Sequence, residues 1–203
     1  LFGILSFFLF GCDLKEQQTF KPPQLTGRVV DTANLLSKKE ISELEQTIVE
    51  FEKKTGGQFA VCIVPTIKNE TIESASIKVA NLWKIGHKGK DNGILFLLAV
   101  QERNFRIEIG YGFEGKINDG KAGEIGRLAI PMFKQKRWND GIKIIIKSSE
   151  QTITGEKIKS VETTEQINPL VVWIFGGGLI LILVIIMFVF LFGDPSDFGS
   201  GGN

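Results

Sequence analysis

Histidine and tyrosine each occur once in the 203 residues, and cysteine and methionine twice each. The lone His87 rules out a two-histidine metal centre and argues against a histidine-based catalytic triad. Two cysteines cannot make a disulfide framework. Cys62 lies in the apolar run Phe59-Ala-Val-Cys-Ile-Val64 and reads as a small buried hydrophobe. No Gly-Lys-Ser/Thr ending follows a glycine-rich stretch, so nucleotide binding is not expected. Basic residues form no dense stripe, so neither is nucleic acid binding. A Cys-x5-Arg loop and a serine nucleophile motif are also missing.

What the chain has in excess is hydrophobicity at its two ends. A mean hydropathy of +0.10 with 23% charged residues means that the apolar residues are concentrated. One concentration, residues 1–10, is followed by Cys12 and a polar stretch, and Leu9-Phe-Gly-Cys12 resembles a lipobox, with Cys12 as the expected lipidation site. Neither Met nor a basic segment precedes it, so residues 1–12 read as an export signal truncated at its start, with a linker at 13–24. The other, residues 170–192, has 23 residues and no charge, about 34 Å of helix, and is expected to span a bilayer. Residues 157–169 would then be a juxtamembrane linker, and the Gly/Ser-rich tail at 193–203 is too polar to build a core.

Charge is segregated as well. Residues 25–160 hold 22 Lys and Arg against 17 Asp and Glu, whereas everything after Ser160 has Glu162, Glu165, Asp194 and Asp197 and no basic residue. Lys157 and Lys159 before the apolar run would place the domain in the cytoplasm by charge alone. The export signal comes first in the chain and decides the expected topology: a domain outside the cytoplasmic membrane of a bacterium.

Residues 25–156 suffice for one domain. Ser37 with Glu40 is a capping box, and Ile41, Leu44, Ile48 and Phe51 continue at helical spacing to Gly56-Gly57. Residues 58–64 and 93–100 read as buried strands, 72–83 as a helix, 105–110 as a half-exposed strand after a turn at 101–104, and 121–130 and 138–153 as closing helices. That order is an α/β arrangement. Trp83 is expected to anchor the core and Tyr111 to pack within its loop, and Glu40, Glu43, Glu50, Lys53 and Lys54 to form a solvated helix face.

Glycine and acid gather in two loops, residues 86–93 and 110–120. Asp31, Asp91, Glu108, Glu114 and Asp119, with Asn92, offer hard oxygen donors suited to Ca²⁺ or Mg²⁺. Asp31 and Asp119 are candidate general bases for a phosphate-ester hydrolase, in which the cation would lower the pKa of a bound water.

The pattern in sequence order is more specific than its parts. Pro23-Gln-Leu-Thr-Gly-Arg-Val-Val-Asp31 with Leu35-Leu-Ser37, Trp83-Lys-Ile-Gly86, Asp91-Asn-Gly93, Ile107-Glu-Ile-Gly-Tyr-Gly-Phe-Glu-Gly115 with Asp119, and Pro131-Met-Phe133 with Asp140-Gly141 resemble the TPM-domain family. That family includes YgcG-like exported, membrane-anchored bacterial proteins and a thylakoid-lumen acid phosphatase. The resemblance implies a three-layer α/β/α sandwich around a small mixed sheet, plus one C-terminal transmembrane helix. It also implies a divalent-cation site carried by Asp31, Asp91, Asn92, Glu108, Glu114 and Asp119. Two functions follow as expectations: an accessory in assembly or maintenance of envelope or membrane complexes, or a metal-dependent phosphomonoester hydrolase. The short tail ending Ser-Gly-Gly-Asn203 departs from YgcG-like relatives.

Overall fold

A computed structural model of the chain describes residues 19–156. The chain divides into two units, Leu1–Ile158 and Lys159–Asn203, and the described residues belong to the first. Cys12 and the apolar runs 1–10 and 170–192 lie outside them. Among the described residues, no helix is long and apolar enough to cross a membrane.

Four strands form one mixed sheet in the order β1 (Val29–Asp31), β2 (Gln58–Val64), β3 (Gly93–Ala99) and β4 (Asn104–Ile109). The first two pairings are parallel and the third is antiparallel. Central strands β2 and β3 are buried almost throughout, which explains their unbroken apolar sequence. Alternate side chains divide two cores. Phe59, Val61, Ile63, Ile94, Phe96 and Leu98 face helices α1 (Lys38–Thr55), α4 (Asp119–Lys134) and α5 (Trp138–Thr154). Ala60, Cys62, Val64, Leu95 and Leu97 face α2 (Ile72–Trp83).

Helices therefore cover both faces of the sheet. Strand order is sequential across β1, β2 and β3, yet the α1 and α2 crossovers lie on opposite faces. The two must then be of opposite hand, and one departs from the strong right-handed preference.

Helix α1 begins as its sequence requires. Glu40 N–H donates to Ser37 Oγ, Ser37 N–H donates to Glu40 Oε2, and the helix ends at left-handed Gly56 with φ 68°. Its polar side is less solvated than its composition suggests, because α5 packs along it. Lys143 Nζ and Asn139 Nδ2 bond Glu43 Oε2 at 2.6 and 3.0 Å, and Lys54 Nζ bonds buried Glu150 at 2.6 Å. The core also starts earlier than the expected linker allows. Phe20 is buried in the α2-side core, with its N–H on Glu70, and Trp83, anchored as expected, donates its indole N–H to Pro23 O at 2.8 Å.

Candidate functional site

The register of the sheet decides which acids can meet. Asp31 pairs with Ile63, which is level with Leu98, five residues beyond Gly93 in the register. At about 3.3 Å per residue, Asp31 is roughly 16 Å along the sheet from the loop carrying Asp91 and Asn92. The six carried-over residues therefore do not form one site, and among the described residues no group of three or more acidic, histidine or cysteine side chains could hold a metal ion.

Asp31 occupies the carboxyl end of β1, and its carboxylate is engaged by backbone. Oδ1 accepts from Ala33 N–H at 3.0 Å, and Oδ2 accepts from Leu35 and Leu36 N–H at 2.7 and 2.8 Å. Those three donors fix the turn into α1, and a carboxylate so used is poorly placed to take a proton from water. Its charge also reinforces burial at Cys62: desolvation first, then Asp31, push that thiol up to about 12, leaving it uncharged and unreactive at neutral pH.

At the opposite end, the two glycine-rich loops are built into each other. Gly86 N–H donates to Gln58 Oε1 at 2.7 Å, and Lys90 and Asp91 N–H groups both donate to His87 O. Asn92 is buried and spends its amide internally: Oδ1 accepts from His87 N–H at 2.9 Å, and Nδ2 donates to Gly56 O at 2.8 Å. His87 Nδ1 lies 3.1 Å from the same Oδ1, which favours the tautomer with hydrogen on Nδ1. Asn92 is thus a brace between α1, β2 and the loop.

The second loop is held by close backbone approach. Gly112 N–H donates to Asp91 O at 3.0 Å, and Gly110 N–H donates to Gly93 O at 2.8 Å. A Cβ on Gly110 would meet Asp91 O at 2.1 Å, and one on Gly112 would meet Lys90 O at the same distance. Glycine is required at both positions by space. Residues Tyr111–Glu114, expected as loop, form the short helix α3, whose Phe113 ring covers Gly57. Tyr111 does not pack within the loop; it is 80% exposed.

The remaining acids differ in availability. Glu108 Oε2 accepts from Ser76 Oγ at 2.9 Å and from Arg106 Nε at 2.7 Å, and that pairing raises the Arg106 pKa. Asp91 and Glu114 are exposed on adjacent loops, and Asp119 is exposed in the first turn of α4, capped by Asn118. Glu108 lines a shallow groove of about 220 Å³ between α2 and β4, together with Ile77, Asn81, Ile109 and Gly110 among others. Sequence reading assigned Ile77 no role and Phe113 no packing role; Gly57, read there as part of the Gly-Gly end of the first helix, was the available signal for close packing.

The family model of the TPM domain matches residues 29–172, more than half of the chain. Among solved structures, the N-terminal domain of a protein from P. gingivalis is 28% identical, with a TM-score of 0.61, covering 68% of this chain and 94% of that one. A protein from the psychrophilic bacterium Bizionia argentinensis is 19% identical, with TM-score 0.56 and coverage of 62% and 86%. The N-terminal domain of a Corynebacterium glutamicum protein is 16% identical, with TM-score 0.53 and coverage of 71% and 93%; these last two speak to the fold alone. No curated protein matches the chain.

Proposed function

Since this chain belongs to the TPM-domain family, we propose that it is a membrane-tethered accessory module of the bacterial envelope, working through the two-loop end of its domain and not as a hydrolase. The apolar run 170–192 and the lipobox-like Cys12 support tethering on the outer side of the cytoplasmic membrane. The observation that carries the accessory reading is the separation of the two candidate bases. Asp31 is spent on three backbone N–H groups at the carboxyl end of β1, while Asp119 stands exposed beyond the other loop. Among the described residues, no hydrogen bond joins either of them to a nucleophile or a second acid, as general acid–base work requires.

The cation part of this reading narrows with the geometry. Asp31, Asn92 and Glu108 are already engaged by protein donors, so the full set does not fit a Ca²⁺ or Mg²⁺ ion. Asp91 and Glu114 are the exposed carboxylates on hydrogen-bonded loops, and a Ca²⁺ ion there would complete its six to eight oxygens with backbone carbonyls and water. Such a site would be weak and would brace the loops.

Hydrolysis of an aryl phosphate by the full-length protein, with Ca²⁺, Mg²⁺ or chelator, tests the proposal. No metal-dependent turnover is expected. Turnover abolished by Asp119→Asn, with an unchanged thermal transition, would establish the hydrolase instead.

A further inference from the structure

We propose that the end of the domain carrying the two glycine-rich loops is a docking face for an anionic lipid surface, an inference that rests on the membrane-tethered reading above. Charge supplies the first observation. Lys84, Lys88 and Lys90 are exposed within seven residues of chain, with Asp91 next to them in sequence and Glu114 exposed on the adjoining segment. Among the described residues, none of the three takes part in an ion pair. Lys84 caps the C-terminus of α2, where a cation also complements the helix dipole. Lys88 and Lys90 lie in the following loop, with no helix end to serve.

The second observation is an exposed amphipathic ring at the same place. Tyr111 is 80% exposed and Ile77 49% exposed, and the backbone on either side of Tyr111 is held by hydrogen bonds, Gly112 N–H to Asp91 O of the lysine loop and Gly110 N–H to Gly93 O. A tyrosine held outward on a rigid support, with lysines around it, suits the lipid headgroup region. The loop's own hydrogen bonds mean that little ordering would accompany docking.

Third, the chain leaves the domain here. Lys116 Nζ bonds Ile153 O at 2.7 Å, which puts the end of α5 beside the α3–α4 connection. The sequence continues through Lys157 and Lys159, and residues 157–169 separate the domain from the uncharged run. Thirteen residues reach at most about 45 Å. So short a tether keeps the effective concentration of lipid high at this end of the domain. Anionic headgroups attract lysines within a screening length of about 8 Å, so the lysine loop has to approach the surface closely.

Lysine acylation of the full-length protein, read by mass spectrometry, tests this in vesicles of phosphatidylcholine alone or mixed with phosphatidylglycerol, with chelator present to remove cation bridging. Acylation of Lys84, Lys88 and Lys90 is expected to be several-fold slower in the anionic vesicles. Lys38 and Lys39, at the opposite end of α1, should react equally in both. High salt, or the charge reversal Lys88→Glu with Lys90→Glu, should restore Lys84 to its neutral-vesicle rate. Equal rates in the two lipids, or protection that persists in the charge-reversed variant, would overturn the proposal. Carbonate extraction of the same vesicles reports tethering separately, so a failure of the anchor is distinguished from a failure of the docking face.

Discussion

Single residues divide into those that build the loop end and those left free on it. Gly110 and Gly112 are builders, because a Cβ added at either would sit only 2.1 Å from a carbonyl oxygen of the neighbouring loop. Gly112→Ala should therefore destabilise the protein by about 1–3 kcal/mol through forced backbone displacement, measured as a lower urea midpoint at unchanged slope. Gly115 has open space around its Cβ position, and Gly115→Ala should be close to neutral in the same experiment. The glycine pattern was legible in sequence, but its meaning was not. Loop composition gives glycine and acid equal standing, whereas contacts show glycine fixing the architecture, Asn92 and Asp31 bracing it, and Asp91 and Glu114 remaining exposed. Distance across a sheet has no signature in a linear sequence, so the convergence of Asp31 with Asp91 could not have been excluded without the register.

At the scale of elements, helix starts and buried strands were legible because their causes are local. The Ser37–Glu40 box, the β-branched runs of β2 and the α2 boundaries all appear where spacing puts them. Helix α3 was hidden because four residues are too few for a periodic signal. The polar contacts between α1 and α5 were hidden because they join residues about 100 positions apart. The Glu43 contact, with two local ones at Glu40 and Glu70, carries a pH dependence. Hydrogen bonds from Lys143 and Asn139 hold the Glu43 carboxyl below its usual range, Ser37 does so for Glu40, and Lys78 for Glu70. Each folded-state pKa lies below the unfolded value near 4.5, so the unfolded chain binds more protons as the pH falls. Their stabilisation is complete above that value and is lost as pH drops through the folded pKa. Urea midpoints measured from about pH 6 down to about pH 3 should fall most steeply below pH 4.5, and Glu70→Gln should flatten the fall. An identical slope in the variant would remove Glu70 from the account.

For the whole molecule, the two ends of the sheet are built differently. The carboxyl end of the parallel strands, where open α/β sheets usually bind ligands, is closed here by Asp31 as a backbone clamp. The opposite end carries the exposed lysines, Tyr111, Asp91 and Glu114, and it is the end from which the chain departs. The family was legible from ordered motifs because they spread over both ends; which loops share an end was not, since motif order does not record which end of a strand a loop leaves. The most direct measurement is the Ca²⁺ dependence of the melting temperature of the full-length protein and two variants. Millimolar Ca²⁺ is expected to raise the melting temperature through binding to the folded state. Asp91→Asn with Glu114→Gln should abolish that rise, whereas Asp31→Ala should lower the melting temperature yet keep the rise. A Ca²⁺ response lost in Asp31→Ala and retained in the loop variant would contradict the assignment of function to the two-loop end.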